Sequence, residues 1–173
     1  MTPEFKAALA FTLRWEGGYS NDPHDLGGET NKGVTHSTYD AYRRAKGLPL
    51  RSVKHIEAHE VSDIYFSRYW LAAKCDKLPA RIATCHFDWA VNAGISQAIK
   101  TLQGVVGAKP DGIWGRGTQQ AVAAFVQIHS DAELASRYNA RRRATYIRWA
   151  VGTQAKFKAG WLNRIDSLVR HVL

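Results

Sequence analysis

Residues 16–35 read EGGYSNDPHDLGGETNKGVT. The stretch is dense in Gly, Asn, Asp and Pro, residues that supply positive φ, a fixed φ or side-chain-closed turns, so it predicts turns and a short irregular β-ribbon. Before it, Phe5, Leu9, Leu13 and Glu16 fall at helical spacing along residues 3–16, which puts Glu16 in the last turn of a helix. Gly17 and Gly18 are expected to end that helix. After it, Thr35 or Ser37 can cap a helix that runs to about Lys46 and stops at Gly47.

The remainder reads as helices. Residues 52–70 predict one or two, with Ile56, Val61, Ile64, Tyr65 and Arg68 loosely in period. Pro79 suits a helix start, and the helix it opens would turn Ile82, Cys85 or His86, Trp89 and Ala90 inward until Asn92 and Gly94 break it. Ile95, Ile99 and Leu102 mark a further helix, followed by a Gly-rich loop over 104–117. Thr118 is the expected cap of a helix to about His129, and Asp131 starts another toward Trp149. A last helix over 156–172 carries Phe157, Trp161, Ile165 and Leu168 on one face. The reading is mainly α with one small β element, and nothing in it predicts βαβ units.

The chain has 173 residues, 45% hydrophobic and 23% charged, enough for one substantial core and unlike disordered material. Its net charge of +9 calls for an anionic partner or surface. Arg141, Arg142, Arg143 and Arg148 lie in a helical pattern and read as a solvated face. No helix-turn-helix or zinc pattern accompanies the charge, so nucleic acid is not the expected partner. The opening segment MTPEFKAALAFTLRWEGG reads as an amphipathic helix and not as a signal peptide, and no run is long and apolar enough to span a membrane. Cytoplasmic synthesis is therefore expected. Cys75 and Cys85 read as buried thiols, with a disulfide formed after export as the alternative. His55 and His59 share a helix face but have no evident third ligand, so neither metal nor cofactor is expected.

Glycosidic cleavage needs a carboxyl group that delivers a proton and, usually, a second group that handles water or the developing cation. Glu16, beside Trp15 and two glycines that admit a bulky chain, is the candidate acid. Its apolar helix could leave it partly desolvated, which favours the protonated form. Asp25 is the candidate second carboxylate, because the turn-rich ribbon can fold it back toward Glu16; Asp22 is its competitor. Thr30 and Thr35 could orient a water. A saccharide cleft also wants aromatic faces and amides. Tyr19 and Asn92 have the best case, Trp114 in its Gly-rich loop and Trp15 are further candidates, and Trp89 reads as core.

The segment E-G-G-Y-S-N-D-P-x-D-x-G-G-E-T-N-K-G-V-T resembles the signature of glycoside hydrolase family 108, N-acetylmuramidases found as phage and prophage endolysins, together with related secretion activators. The resemblance implies that Glu16 is the catalytic glutamate. The Glu16–Asp25 spacing is also similar to the Glu/Asp/Thr triad of T4-type lysozymes. There the threonine falls about six residues after the aspartate. That position here is Asn31, so Thr30 takes the triad role with Asn31 and Thr35 as alternatives. The implied fold is a lysozyme-like α+β one, a helical lobe and a small β-ribbon around a cleft. Residues 92–118, with Leu102-Gln103, Asp111-Gly112, Gly115 and Thr118, resemble the peptidoglycan-binding region that accompanies the family. That pattern serves either glycan contact or scaffolding.

The resulting expectation is a monomeric muramidase with residues 1–91 as its catalytic part and 92–173 as a helical part of the same unit. Its substrate would be peptidoglycan glycan strands, with an anionic envelope or membrane surface as a further partner, to which Lys156, Lys158, Arg164 and Arg170 could contribute. As in phage endolysins of this kind, it would reach the periplasmic wall through a holin. A lytic transglycosylase, which needs only Glu16, and a non-catalytic wall-binding or secretion-helper protein are the rival readings.

Overall fold

The computed structural model describes residues 1–21 and 28–173. Asp25, with Asp22 and His24, lies outside the described residues.

Helix α1 (Pro3–Leu13) is opened by Thr2, whose hydroxyl accepts from Phe5 N at 3.3 Å, and by Pro3 in its first turn. Two short strands follow, β1 (Thr30–Asn31) and β2 (Val34–Thr35), antiparallel with Thr30 opposite Thr35. Ser20 bridges to Thr30, which draws the chain after Glu16 onto the ribbon. Thr35 caps α2 (His36–Ala45) through a 3.3 Å bond from Thr38 N.

Helix α3 (Ala58–Tyr65) starts with a reciprocal box in which Glu60 accepts from the Glu57 amide at 3.0 Å. It continues as a π-helical turn over Phe66–Leu71. Then come α4 (Ala80–Ala93), α5 (Ile95–Val106), α6 (Arg116–Ile128), α7 (Asp131–Trp149) and α8 (Lys158–Val172). The chain has a lysozyme-like α+β fold, mostly helical with this one small ribbon.

The core is organised around α4. Every residue from Ile82 to Ala90 is buried, against α1, α5, α7 and α8. The first amides of α4 have no partner within the helix, and Asp131 at the start of α7 supplies one, accepting from Arg81 N and Ile82 N at 3.0 and 3.1 Å. Phe5 packs edge-on to Phe66, Trp70 and Phe87 with ring centroids 4.9–5.8 Å apart, which ties α1 to α4 and the π turn. Trp89 is fully buried, as its reading as core required; its indole donates to Thr101 Oγ1 at 3.0 Å. Cys75 and Cys85 are buried and unpaired. No helix among the described residues is long and apolar enough to cross a membrane.

The boundaries of α5 and α6 differ from the sequence reading. Gly115, not Thr118, caps α6, and Thr118 lies buried inside it. The Gly-rich loop begins only after Val106, because Gly104 continues α5 and the left-handed Gly107 ends it.

His86 gives the fold a measurable pH dependence. It sits fully buried on α4 between the Tyr138 hydroxyl, 3.0 Å from Nδ1, and the Ala73 carbonyl, 3.1 Å from Nε2. Burial pushes the imidazole down to about 4. The unfolded chain takes up this proton near the ordinary value of 6.5, the folded chain only near 4, so the stability it contributes is complete above the higher value and is lost as pH falls through that window. Urea denaturation is expected to give an unfolding free energy lower by about 2 kcal/mol at about pH 5 than at about pH 7. His86→Gln should remove most of that difference.

Candidate active site

Helix α1 ends one turn earlier than its periodicity suggests. Leu13 is its last residue, and Trp15 and Glu16 stand in the turn beyond, where Glu16 N reaches Leu13 O at 3.4 Å. Glu16 is therefore held by tertiary contacts instead of by the helix. Arg164 of α8 supplies the first, donating from Nη1 and Nη2 to Glu16 Oε1 at 3.1 and 3.2 Å. The ribbon supplies the second. Gly33, at φ +73°, lies against the same side chain: a Cβ there would meet Glu16 Oε2 at 2.9 Å and collide with the Tyr65 hydroxyl. Tyr65 in turn donates to Lys32 O at 2.9 Å. Burial, and next the Glu16 charge, push the Tyr65 phenol well above its ordinary range, so it remains a proton donor beside the carboxylate.

The expected apolar setting of Glu16 is thus an ion-paired one. Its side chain keeps 20% exposure. Gly17 and Gly18 are exposed with open space around them, which leaves this flank accessible.

Arg164 is itself fixed from below. Its Nε lies 3.1 Å from both oxygens of Asp88, and its Nη2 lies 2.7 Å from Asp88 Oδ1. Asp88 is fully buried on α4 and also accepts from Arg142 at 2.6 Å and from Thr12 of α1 at 3.1 Å. Burial alone would raise the Asp88 carboxyl, but the two guanidiniums outweigh it and hold the group below the usual carboxylate range. Arg142, also fully buried, lies over the Trp89 ring at 4.8 Å and donates to the Tyr146 hydroxyl, which donates to Asn92. A continuous chain of bonds therefore runs from Glu16 through Arg164, Asp88, Arg142 and Tyr146 to Asn92.

The other candidates separate into groups. Tyr19 is 41% exposed, with Lys54 Nζ 5.6 Å above its ring, directly before Ser20, which bridges to Thr30. Among the described residues, Thr30 Oγ1 makes only a 3.5 Å contact, to Gly28 O. Its two alternatives are engaged elsewhere: the Thr35 hydroxyl caps α2, and the Asn31 amide donates to Val53 O and Lys54 O at 3.2 and 3.3 Å. Asn92 joins the network at its far end. Trp114 packs on the core in the loop before α6.

The wall-binding pattern forms a clasp. Gln103 donates to Asp111 Oδ1, Ile113 O and Thr118 Oγ1 at 2.8–3.0 Å and accepts from Gly112 N at 2.8 Å. These polar groups bond to one another and shape the loop. Among the described residues no cluster of three or more His, Cys, Asp or Glu side chains is placed to hold a metal ion.

Two arginines were misread from the sequence. Arg142 is not on a solvated face, and Arg164, with a side chain 6% exposed, is not part of a basic surface. A signal for both was present. Arg164 sits one turn after Trp161 and beside Ile165 on the apolar face of α8, and Arg142 lies midway between Tyr138 and Tyr146. A charge at core spacing on a helix announces a buried partner.

A helical body, a small ribbon and a partly buried glutamate between them define a lysozyme-like glycan hydrolase architecture. Residues 9–94 match the family model described as glycosyl hydrolase 108, and residues 97–166 match one described as a predicted peptidoglycan domain. The solved structure of Brucella abortus SagA is similar at a TM-score of 0.76 and 31% identity, over 97% of this chain and 92% of that one. No curated protein matches the chain. The chain belongs to the glycosyl hydrolase 108 family, and it is a hydrolase that acts on peptidoglycan.

Two substitutions test the site's construction. Asp88→Asn leaves two buried guanidiniums short of their counter-charge and is expected to lower the unfolding free energy by about 3–5 kcal/mol in a denaturant titration. Gly33→Ala is expected to cost about 1–2 kcal/mol from the backbone alone. By displacing Glu16 it should also reduce peptidoglycan clearing far more than a loss of stability of that size explains.

Proposed function

We propose that the protein is an N-acetylmuramidase that hydrolyses the β-1,4 bond between N-acetylmuramic acid and N-acetylglucosamine, in the role of a phage endolysin. The observation that carries this reading is the presentation of Glu16. Arg164 engages Oε1 and fixes the side chain, while Oε2 lies against Gly33 and the side chain keeps 20% exposure. Oε2 is then the oxygen that delivers a proton to the glycosidic oxygen. Asp25 stabilises the developing positive charge or activates the attacking water, with the Thr30 hydroxyl orienting that water. Tyr19 and Asn92 contact the glycan on either side of the acid, and Trp114 contributes a further aromatic surface.

The net charge of +9 suits the anionic polymers of the envelope better than nucleic acid, for which the chain has no reading element. In this role the protein works as a monomer and reaches the periplasmic wall through a holin.

Digestion of purified peptidoglycan followed by mass spectrometry tests the reading. Wild type is expected to release fragments with reducing muramic-acid ends, and Glu16→Gln to release them at least about a hundredfold more slowly, as loss of a general acid requires. Anhydro-muramic ends would assign the protein to the transglycosylases and remove Asp25 from the water step. Reducing glucosamine ends would place the cut at the other glycosidic bond.

A further inference from the structure

Where α7 ends and α8 begins, the surface carries a recess of about 440 Å³ lined by Arg148, Trp149, Val151, Gln154 and Trp161. Its size is that of a small-ligand cleft. Trp149 is 40% exposed and Val151 66%, so this is apolar surface left in water. The rings are organised from beneath. Trp149 stacks on buried Trp89 at 5.6 Å and 27°, and Trp161 on buried Tyr146 at 5.0 Å and 12°. Rings laid flat on the core do not project as membrane-inserting side chains do. Trp149 forms a floor, Trp161 stands beside it with Phe157 stacked on it at 5.9 Å and 30°, and polar groups from Arg148 and Gln154 lie at the edge.

We propose that this recess is a glycan-binding subsite, in which an N-acetylated sugar of the peptidoglycan strand lays its apolar face on Trp149 and packs against Trp161. The inference rests on the reading of Glu16 as the cleaving residue, because a strand cut there supplies the sugars that reach the recess. Trp161 stands one helical turn before Arg164 on α8, and Arg164 holds Glu16. Tyr146, beneath Trp161, bonds to Asn92. Buried bonds through Arg164, Asp88, Arg142 and Tyr146 thus tie Glu16 to Asn92 and to the ring beneath Trp161, where α4, α7 and α8 meet. In this proposal a strand cut at Glu16 runs past the exposed Asn92, and its sugars beyond the cut reach the indoles. Sugar rings present C–H faces that suit aromatic planes. The carboxylates of the strand's lactyl and peptide groups suit Arg148, whose Nη2 is otherwise engaged only with Thr145 Oγ1 at 3.0 Å among the described residues.

The test uses the full chain carrying Glu16→Gln, so that binding is read without turnover. The probe is soluble, uncrosslinked glycan of alternating N-acetylglucosamine and N-acetylmuramic acid, about six or more sugars long, titrated by tryptophan emission and calorimetry. Adding Trp161→Ala is expected to weaken binding about tenfold, which is the loss of one good stacking contact, and Trp161→Phe should restore most of it. Val151→Glu, at an exposed position whose change leaves the melting temperature alone, should weaken binding by a similar factor through charge and lost apolar surface. Unchanged affinity in Trp161→Ala and Val151→Glu overturns the subsite. So does a loss confined to binding of phosphatidylglycerol–phosphatidylethanolamine vesicles with glycan affinity intact, which would make the patch a membrane contact. Failure of wild type to cut peptidoglycan would count against the muramidase reading, whereas the glycan titration reports on the recess alone.

Discussion

The carboxylate of Asp88 is the constraint on which the rest of the structure depends. It lies fully buried in the middle of α4 and is bound by α1 through Thr12, by α7 through Arg142 and by α8 through Arg164. A buried charge is tolerated only where its partners are complete, and here completion requires all four helices in register. The same requirement sets the site. Arg164 is oriented by Asp88 and spends its outer edge on Glu16, so the position of the candidate acid is decided by residues far apart in sequence. The glutamate belongs to no regular element and needs that support.

The ribbon supplies the opposite wall. It has only two residue pairs, too few to be stable alone. It is held because Asn31 reaches the turn at Val53–His55, Tyr65 binds Lys32 O, and Gly33 passes close over Glu16. A side chain at that glycine would push the acid and the ribbon apart. The sequence that predicts turns between Glu16 and Thr35 therefore serves a second purpose, a close approach of backbone to the carboxylate.

The basic charge of the chain divides into two uses. Arg43, Arg142 and Arg164 are structural cations neutralised inside the fold, while others, among them Arg141, Arg148, Lys156 and Lys158, remain exposed. Only the second group can act on an anionic polymer. In the C-terminal part, the Gln103 clasp consumes its own polar groups to shape a loop, and the exposed aromatic surface lies instead at the junction of α7 and α8.

The local pattern of the sequence determined most of the helices, the place of the ribbon and the family. The Thr35 cap, the stop at Gly47, the break at Gly94 and the start of α7 are set by backbone preferences of neighbouring residues, and these are legible without a fold. The signature from Glu16 to Thr35 singled out the candidate acid for the same reason, being continuous in the chain. What only the tertiary structure decided is the environment of that acid. Whether Arg164 and Arg142 face water or Asp88 depends on which helices meet. Thr118 becomes a buried acceptor instead of a cap because Gln103 arrives from another helix. Periodicity reports which face of a helix is apolar, but not what stands opposite it. A charged residue on such a face has its meaning fixed by a partner that the local sequence does not contain.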